Sequence, residues 1–223
     1  MELIRSFTSQ WLAAAYVAGV AVLLTFLFGR LLGPEVFGHY NYLLTLASLY
    51  AILQDGGFRV LIFRELTSPT FHQIKDNLVS IAMGHNLLVT VTGILIVLIL
   101  PLDHSLLLIL AILSFGLGTA TAFLSSQIKG EGHFSTEARW RVLVRTLCAG
   151  SVLLFIFLLE PTIHWILVGG IAGYCVSLVL RPQNRVPNIR FKRLDRGIYK
   201  SMISLLIIDI ATMIYFKMDI VML

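Results

Sequence analysis

An acid and a base lie four residues apart in one of the apolar stretches of this sequence. Asp55 and Arg59 flank Gly56 and Gly57. A charge at membrane depth costs about 2.5–3.5 kcal/mol on insertion scales, so such residues usually face a cavity or a partner. The two glycines weaken a helix and predict a broken helix with exposed backbone dipoles, as in transporter binding sites. The alternative is that Asp55 and Arg59 neutralise each other at a local kink.

A carboxylate and an imidazole occupy two further apolar stretches. Asp209 lies between isoleucines, with Thr212 one turn later on the same helical face. Desolvation disfavours an ionised carboxylate, which suits coupling to a proton or a cation. The alternative is that Asp209 pairs with an arginine of a neighbouring helix. His85, next to Asn86, is a candidate proton relay, although a buried histidine is more often a hydrogen-bonded structural residue.

Patterns typical of enzymes are missing from the sequence. It contains no nucleophile elbow, zinc-ligand helix or phosphate loop, and no paired carboxylates at a loop mouth. Glu131 and Glu137 flank the loop at His133 and are expected to be solvated. Cys148 and Cys175 lie 27 residues apart in apolar runs, which predicts packing rather than a metal site. We therefore predict a protein that is not an enzyme and uses no cofactor.

The composition around these residues is typical of an integral membrane protein. Of 223 residues, 57% are hydrophobic and 13% charged, against roughly 45–50% and 25% in soluble domains. The apolar residues form runs long enough to cross a hydrocarbon core of about 30 Å. We predict an all-α, polytopic integral membrane helix bundle of about seven transmembrane helices, over residues 11–28, 40–63, 78–100, 106–128, 142–159, 163–180 and 198–215.

The basic residues predict the orientation of the bundle. Fourteen lysines and arginines fall in segments on the N-terminal side of the membrane, and two, Arg30 and Lys217, fall on the other side. By the positive-inside rule the N-terminus is cytoplasmic. The outside turns are expected at 29–39, with a break at Gly33 and Pro34, and at 101–104 and 160–162.

The chain is expected to comprise a six-helix lobe over 1–180, a basic cytoplasmic loop over 181–197 and a seventh helix over 198–223, the start of a second lobe. The net charge of +5 is explained by this topology, and the sequence indicates no nucleic-acid surface.

Two helices carry small residues every fourth position, which permits close packing in lipid. They are Ser114, Gly118, Ala122 and Ser126 in the fourth span, and Gly169, Gly173 and Ser177 in the sixth.

Three motifs occur in order along the chain. They are LGPEVFGHY at 32–40 with DGGF at 55–58 and Arg64-Glu65, then QIKGEGHF at 127–134, and YFKMDIVML at 215–223. Together they resemble Wzx-type polysaccharide flippases of the multidrug/oligosaccharidyl-lipid/polysaccharide exporter superfamily. The opening hairpin of that family reads L-G-x-x-x-F-G-x-Y, followed by D-x-G-hydrophobic and a downstream Arg. The resemblance implies two six-helix lobes around a cavity, so a chain of about seven helices is expected to be inactive or to depend on a second half.

The resemblance also implies a cargo and a location. The cargo is a polyprenyl-diphosphate-linked oligosaccharide, such as an O-antigen unit, carried across the cytoplasmic membrane. Its diphosphate needs cationic groups in a hydrated cavity. The expected partners are this cargo, membrane lipids, and a second transporter half or the polymerase and assembly proteins. From the sequence, the candidate head-group contacts are Arg59, Arg64 and Arg145, with Arg30 and Lys217 for the outward state. The candidates for ion coupling are Asp209 and Asp55, and those for turns are Gly33, Phe37, Gly38 and Gly57.

Two alternatives belong to other functional classes. A multidrug and toxin extrusion-type, cation-coupled antiporter usually carries cationic substrates, whereas the membrane-depth and interfacial charges of this chain lean basic. A non-transporting scaffold would hold polysaccharide-assembly enzymes through the basic loop at 181–197. A membrane glycosyltransferase or polymerase is disfavoured, because the connections have ordinary loop lengths and leave no room for a catalytic domain.

Overall fold

The computed structural model describes residues 2–67, 75–100, 104–181, 203–204, 206–208 and 210–212. The described residues form six helices, which are α1 (Glu2–Asp55), α2 (Phe58–Thr67), α3 (Lys75–Ile99), α4 (Ser105–Gly130), α5 (Phe134–Leu158) and α6 (Ile163–Val179). The described residues between 203 and 212 are helical too. No strand occurs in these parts of the chain. The predicted all-α helix bundle is confirmed.

Helix α1 consists of two membrane-crossing arms joined at Gly33. A straight helix of 54 residues would be about 80 Å long, more than twice the thickness of a hydrocarbon core. Gly33 has φ 75° and ψ 167°, a conformation that is almost restricted to glycine. Pro34 follows, and its missing N–H and fixed φ suit the first turn of the second arm. The turn expected over 29–39 is therefore confined to a single bend.

The two arms of α1 fold back on each other as a hairpin. The ring centroids of Phe28 and Tyr40 lie 5.8 Å apart, although a straight helix would separate residues 28 and 40 by about 18 Å. Phe37 packs against Gly29 across the same bend, at 3.9 Å from a Cβ built on the glycine. We refer to residues 2–32 as the first arm and to residues 34–55 as the second arm.

Four of the described helical segments are long and apolar enough to cross a membrane. The first, Ser6–Thr67, has 62 residues and runs through the hairpin into α2, so it is long enough for two crossings. Helix α6, with 17 residues, is at the lower limit for a single crossing. The described helices thus account for six crossings. The predicted seventh crossing, 198–215, lies mostly outside the described residues.

The helices alternate between two ends of the bundle. At the hairpin end, near Gly33, the ring centroids of His39 and His104 lie 4.5 Å apart. At the loop end, near the α4–α5 turn at 131–133, Gln10 of the first arm donates a hydrogen bond of 2.7 Å to the carbonyl oxygen of Phe134. The cytoplasmic placement of the loop end stays a prediction.

Two clusters of buried apolar side chains hold the elements that carry Asp55 and Arg59. One packs α2 against α3, α4 and α5, and consists of Phe58, Leu61, Ile62, Leu78, Val79, Ile81, Ala82, Phe123, Leu124, Ile128 and Trp140. The other packs both arms of α1 against α4, α5 and α6, and consists of Phe28, Tyr40, Leu43, Ala47, Ala111, Val152, Ile156, Ile163, Ile166 and Leu167. Together the clusters fix the second arm and α2 in the bundle.

Helices α5 and α6 approach each other closely at two glycines. A Cβ atom added to Gly173 would lie 2.5 Å from the Cα atom of Cys148, and one added to Gly169 would lie 2.8 Å from the Cα atom of Val152. Backbone atoms cannot move aside as a flexible side chain can. The predicted role of the small residues of the sixth span in close packing is confirmed at these two positions.

We expect Gly173→Ala to lower the stability of the protein by about 1–3 kcal/mol, because the added methyl group overpacks the contact with α5. Thermal unfolding in detergent would show a lower Tm. Gly150→Ala is the matched control, since a Cβ on Gly150 meets nothing within 4 Å and alanine favours the helix. An unchanged or raised Tm for Gly173→Ala would contradict the close packing of α5 and α6.

Candidate functional site

A cavity of about 760 Å³ lies between both arms of α1 and helices α2, α4, α5 and α6. This volume falls within the range of about 300–1,000 Å³ that is usual for sites binding small ligands. Thr212 also lines the cavity. Charged residues on the walls are Asp55, Arg59 and Arg145, and polar ones include Tyr40, Asn41, Ser48, Ser114, Thr119 and Tyr174.

The break between α1 and α2 places a charged pair on the cavity wall. Gly56 and Gly57, with φ values of 56° and 78°, separate the two helices. Arg59 Nε lies 3.8 Å from Asp55 Oδ1, and the Arg59 side chain is 54% exposed whereas that of Asp55 is 11% exposed. The two alternatives raised by the sequence, a broken helix and a charge pair, therefore occur together.

His85 of α3 stabilises the break. Its Nε2 lies 2.9 Å from the carbonyl oxygen of Leu53, one of the last carbonyls of α1, which lack helical partners. Because a carbonyl oxygen only accepts, His85 donates through Nε2. The His85 ring also packs 5.2 Å from that of Phe58, between centroids. These contacts favour the alternative that His85 is a hydrogen-bonded structural residue and not a proton relay.

A buried polar network joins the second arm of α1 to α3 and α4 beside this break. Gln54 is fully buried and donates to Thr90 Oγ1 and to the carbonyl oxygen of Ile112, both at 3.0 Å. Asn86 donates to the carbonyl oxygen of Gly116 at 2.8 Å. The sequence signal for this network is the spacing of Asn86 and Thr90, which places two polar residues on one face of an apolar helix. The network was not predicted.

Arg145 of α5 is the second cation on the cavity wall. Tyr40 and Tyr174 share the cavity wall with it. Tyr40 closes the motif at 32–40, whereas the sequence did not single out Tyr174. The Nε atom of Arg145 is buried and has no hydrogen-bond partner among the described residues. Within the same residues Arg145 belongs to none of the ion pairs, which involve Arg59, Arg64 and Arg141. A buried donor without a partner is costly, so this guanidinium suits an anionic or acceptor-rich ligand.

The other predicted charged residues lie elsewhere. Arg64 is not on the cavity wall and forms an ion pair of 2.9 Å with its neighbour Glu65. Arg30 is exposed on the first arm and does not line the cavity either. Asp209 and Lys217 lie outside the described residues. The structure therefore brings Asp55, Arg59 and Arg145 to one cavity and leaves Arg64 and Arg30 outside it.

Of the four residues predicted to shape turns, two lie at breaks between helical segments and two lie inside a helix. Gly33 forms the bend of the hairpin, and Gly57 belongs to the break between α1 and α2. Phe37 lies inside the second arm, contacts the other side of the bend and also lines the cavity. Gly38 lies within the helix, and a Cβ added to it would meet nothing within 4 Å.

Glu137 is buried, and the expectation that it is solvated is wrong. It is 3% exposed, and its carboxylate accepts hydrogen bonds from Gln10 at 2.6 Å and from Ser125 at 2.5 Å. It also pairs with Arg141 at 2.8 Å. The physical reason is tertiary, because the first arm of α1 packs against α5 at this point. Glu131, on the other side of the same turn, is exposed as expected.

Comparison with known proteins gives one match. A family model described as "polysaccharide biosynthesis protein" matches residues 3–223, which include the six helices except for Glu2 and all of the described cavity residues. Neither the curated proteins nor the solved structures yield a match.

We expect Gly56→Ala to lower stability by about 1–3 kcal/mol through left-handed strain and a steric clash. The added Cβ would lie 2.7 Å from His85 Nε2 and would displace the ring from Leu53. Thermal unfolding in the parent and in a His85→Ala background separates the two causes, since removal of the ring relieves only the clash. Gly132→Ala is the control for strain alone, with φ 84° and nothing within 4 Å of the added Cβ. Equal costs in both backgrounds would contradict the role of His85.

Proposed function

Because this chain belongs to the polysaccharide biosynthesis protein family, we propose that it moves a polyprenyl-diphosphate-linked oligosaccharide from the cytoplasmic to the periplasmic leaflet. Membership and the apolar helices make it a membrane protein of polysaccharide biosynthesis or export. The proposal adds the cargo and the direction. Such a transporter makes and breaks no covalent bond, and its task is to shelter a diphosphate and sugar hydroxyls from hydrocarbon.

The observation that carries the proposal is Arg145 in the cavity. The residue lines the cavity, and its buried Nε atom has no hydrogen-bond partner among the described residues, so a small rotation of the guanidinium presents unpaired N–H groups to a ligand. A diphosphate presents several acceptor oxygens, and a guanidinium binds such groups through two parallel hydrogen bonds. Between protein walls, these charge-assisted bonds are stronger than they would be in bulk solvent. Arg145 is thus suited to hold the anionic part of the cargo.

The balance of charge on the described walls also favours an anion. Arg59 and Arg145 contribute two positive charges and Asp55 one negative charge, a net of one positive charge. Arg59 is already opposed by Asp55 at 3.8 Å, so most of the uncompensated charge resides on Arg145. The half-exposed Arg59 side chain remains able to rotate towards a second phosphate group. We therefore assign the first contact to Arg145 and an assisting role to Arg59.

The remaining walls suit sugar rings. Hydroxyl and amide groups around the cavity exchange hydrogen bonds with sugar hydroxyls, and Phe28, Phe37 and Phe115 offer apolar surface to the ring faces. A cavity of about 760 Å³ accommodates a head group of a few sugar units but not a long polyprenyl chain as well. The tail would remain in the surrounding lipid, which accepts it without cost.

The antiporter alternative depends on Asp55, the one carboxylate among the described cavity residues. A cationic substrate would have to displace Arg59 from that carboxylate and approach Arg145 as well. Like charges disfavour both steps. A flippase is therefore better supported than an antiporter. Binding of an anionic isoprenoid would indicate a flippase, and binding of an organic cation would indicate an antiporter.

We expect Arg145→Ala to weaken binding of farnesyl diphosphate to the purified protein in detergent by about tenfold to a hundredfold, since charge-assisted hydrogen bonds are lost. Titration calorimetry or quenching of tryptophan fluorescence would measure it. Arg139→Ala is the matched control, because Arg139 is exposed on the same helix and lies outside the cavity. Farnesol, which lacks the diphosphate, should bind both variants and the parent equally. Equal affinity of Arg145→Ala and parent for farnesyl diphosphate would contradict the assignment.

Transport itself is tested by complementation of a strain that lacks its own flippase for a lipid-linked oligosaccharide. Arg145→Ala should abolish rescue at unchanged protein level in the membrane, and Arg145→Lys should restore part of it, because lysine keeps the charge but not the two-pronged geometry. Rescue by Arg145→Ala equal to that of Arg139→Ala would exclude an essential role for this side chain.

A further inference from the structure

The first arm of α1 is weakly anchored in the bundle. Between residues 6 and 27 its only buried side chain is Ala13. Large apolar side chains such as those of Trp11, Leu23 and Phe26 are 66–75% exposed, as suits contact with lipid. Lipid solvates these side chains as well as a protein neighbour would, so they do not fix the arm against the bundle. Polar contacts at defined points therefore decide where the arm lies.

A four-residue polar clasp holds this arm at the loop end. It consists of Gln10 of the first arm, Ser125 of α4, and Glu137 and Arg141 of α5. Gln10 donates to the Glu137 carboxylate at 2.6 Å and accepts a hydrogen bond from Arg141. Ser125 and Arg141 approach the other carboxylate oxygen at 2.5 and 2.8 Å. One buried carboxylate thus joins three helices.

The clasp lies immediately beyond the cavity on the loop side. Arg141 precedes the cavity residue Arg145 by about one turn of α5, and Ser125 follows the cavity residue Ala122 by nearly one turn of α4. Described cavity residues on these two helices lie only on the hairpin side of the clasp. Between the first arm, α4 and α5, a path from the cavity to the loop end therefore passes the clasp.

Next to the clasp, a groove lies between the first arm and α5. The groove has a volume of about 590 Å³ and runs between Leu12 and Tyr16 on one side and Leu143 and Thr146 on the other. Tyr16 and Thr146 close its far end with a hydrogen bond of 2.9 Å between exposed hydroxyls. The buried side chains of the groove are the small ones of Ala13 and Ala138, so the arm can move away from α5 here with little loss of buried apolar surface.

We propose that the clasp centred on Glu137 is a gate, which closes the cavity at the loop end and opens when Gln10 separates from Glu137 and Arg141. The side chain of Arg141 is 33% exposed and Gln10 is half-buried, so water can replace their mutual bonds as the arm leaves. Glu137 and Arg141 remain paired on α5, which avoids leaving a buried charge alone. The gate controls access to the cavity whatever the cargo, so it goes beyond the proposed function.

Cys148 provides a reporter for the gate. It lines the cavity, is buried, and is one of two cysteines in the chain. In a Cys175→Ser background it is the sole thiol, and its labelling by a membrane-impermeant maleimide measures how often water and reagent enter the cavity. Reagent is applied to vesicles from each side in turn. A His133→Cys variant, made in the absence of Cys148, identifies the side that the loop end faces.

We expect Gln10→Ala and Glu137→Gln to raise the labelling rate of Cys148 from the loop-end side by roughly tenfold, because bonds to a charged group hold the closed state. Labelling from the hairpin-end side should not change. Gln127→Ala is the matched control, since it removes a bond of 3.0 Å to Glu131 at the same end of the bundle without touching α1. Thermal unfolding identifies variants that fail to fold, and the mild Gln10→Ala leaves the charge pair intact.

Labelling rates within twofold of the parent for folded Gln10→Ala and Glu137→Gln would overturn the gate. Equal acceleration from both sides would overturn it too, because it would indicate general loosening of the bundle. The labelling experiment needs no cargo and no transport, so its failure is distinguishable from failure of the flippase proposal. Conversely, loss of diphosphate binding in Arg145→Ala has no bearing on the gate.

Discussion

Inside a membrane every backbone N–H and C=O needs a partner within the protein, because lipid offers none. The break at Gly56 and Gly57 interrupts helical pairing between two segments of the bundle, and the surrounding structure compensates for it. His85 supplies a donor to the carbonyl of Leu53, and Gln54 ties the same turn to α4. The positions of Asp55 and Arg59, and hence the charged wall of the cavity, depend on this compensation.

The two cavity arginines have different environments, and the difference follows from the elements that carry them. Arg59 begins a short helix beside an acid and remains half-exposed. Arg145 lies in the middle of a long continuous helix, where its Nε is buried. A continuous helix offers no broken backbone to share the charge of Arg145. Among the described residues, Arg59 is paired locally with Asp55, whereas Arg145 belongs to no ion pair.

Much of the fold follows from the sequence, because apolar runs of membrane length leave few alternatives. The sequence also predicted the helix break at Gly56 and Gly57 and the close packing at Gly169 and Gly173, because each glycine meets a local requirement of the backbone. Helical geometry would also separate Arg59 from Arg64, whose five-residue spacing puts them about 140° apart around a helix. Glu137 was not predictable in this way, because its partner Gln10 is 127 residues distant in the chain. Tyr40 and Tyr174 are equally non-local, since only packing brings them to Arg145.

The bend at Gly33 divides α1 mechanically. Pro34 has no N–H and Gly33 has no helical conformation, so the ladder of hydrogen bonds that makes a helix stiff is interrupted between the arms. A rod transmits a tilt along its whole length, whereas two rods joined by a flexible link do not. A tilt of the first arm about the buried Phe28 is therefore absorbed at this bend. The proposed gate leaves the second arm, α2 and the charge pair in their places.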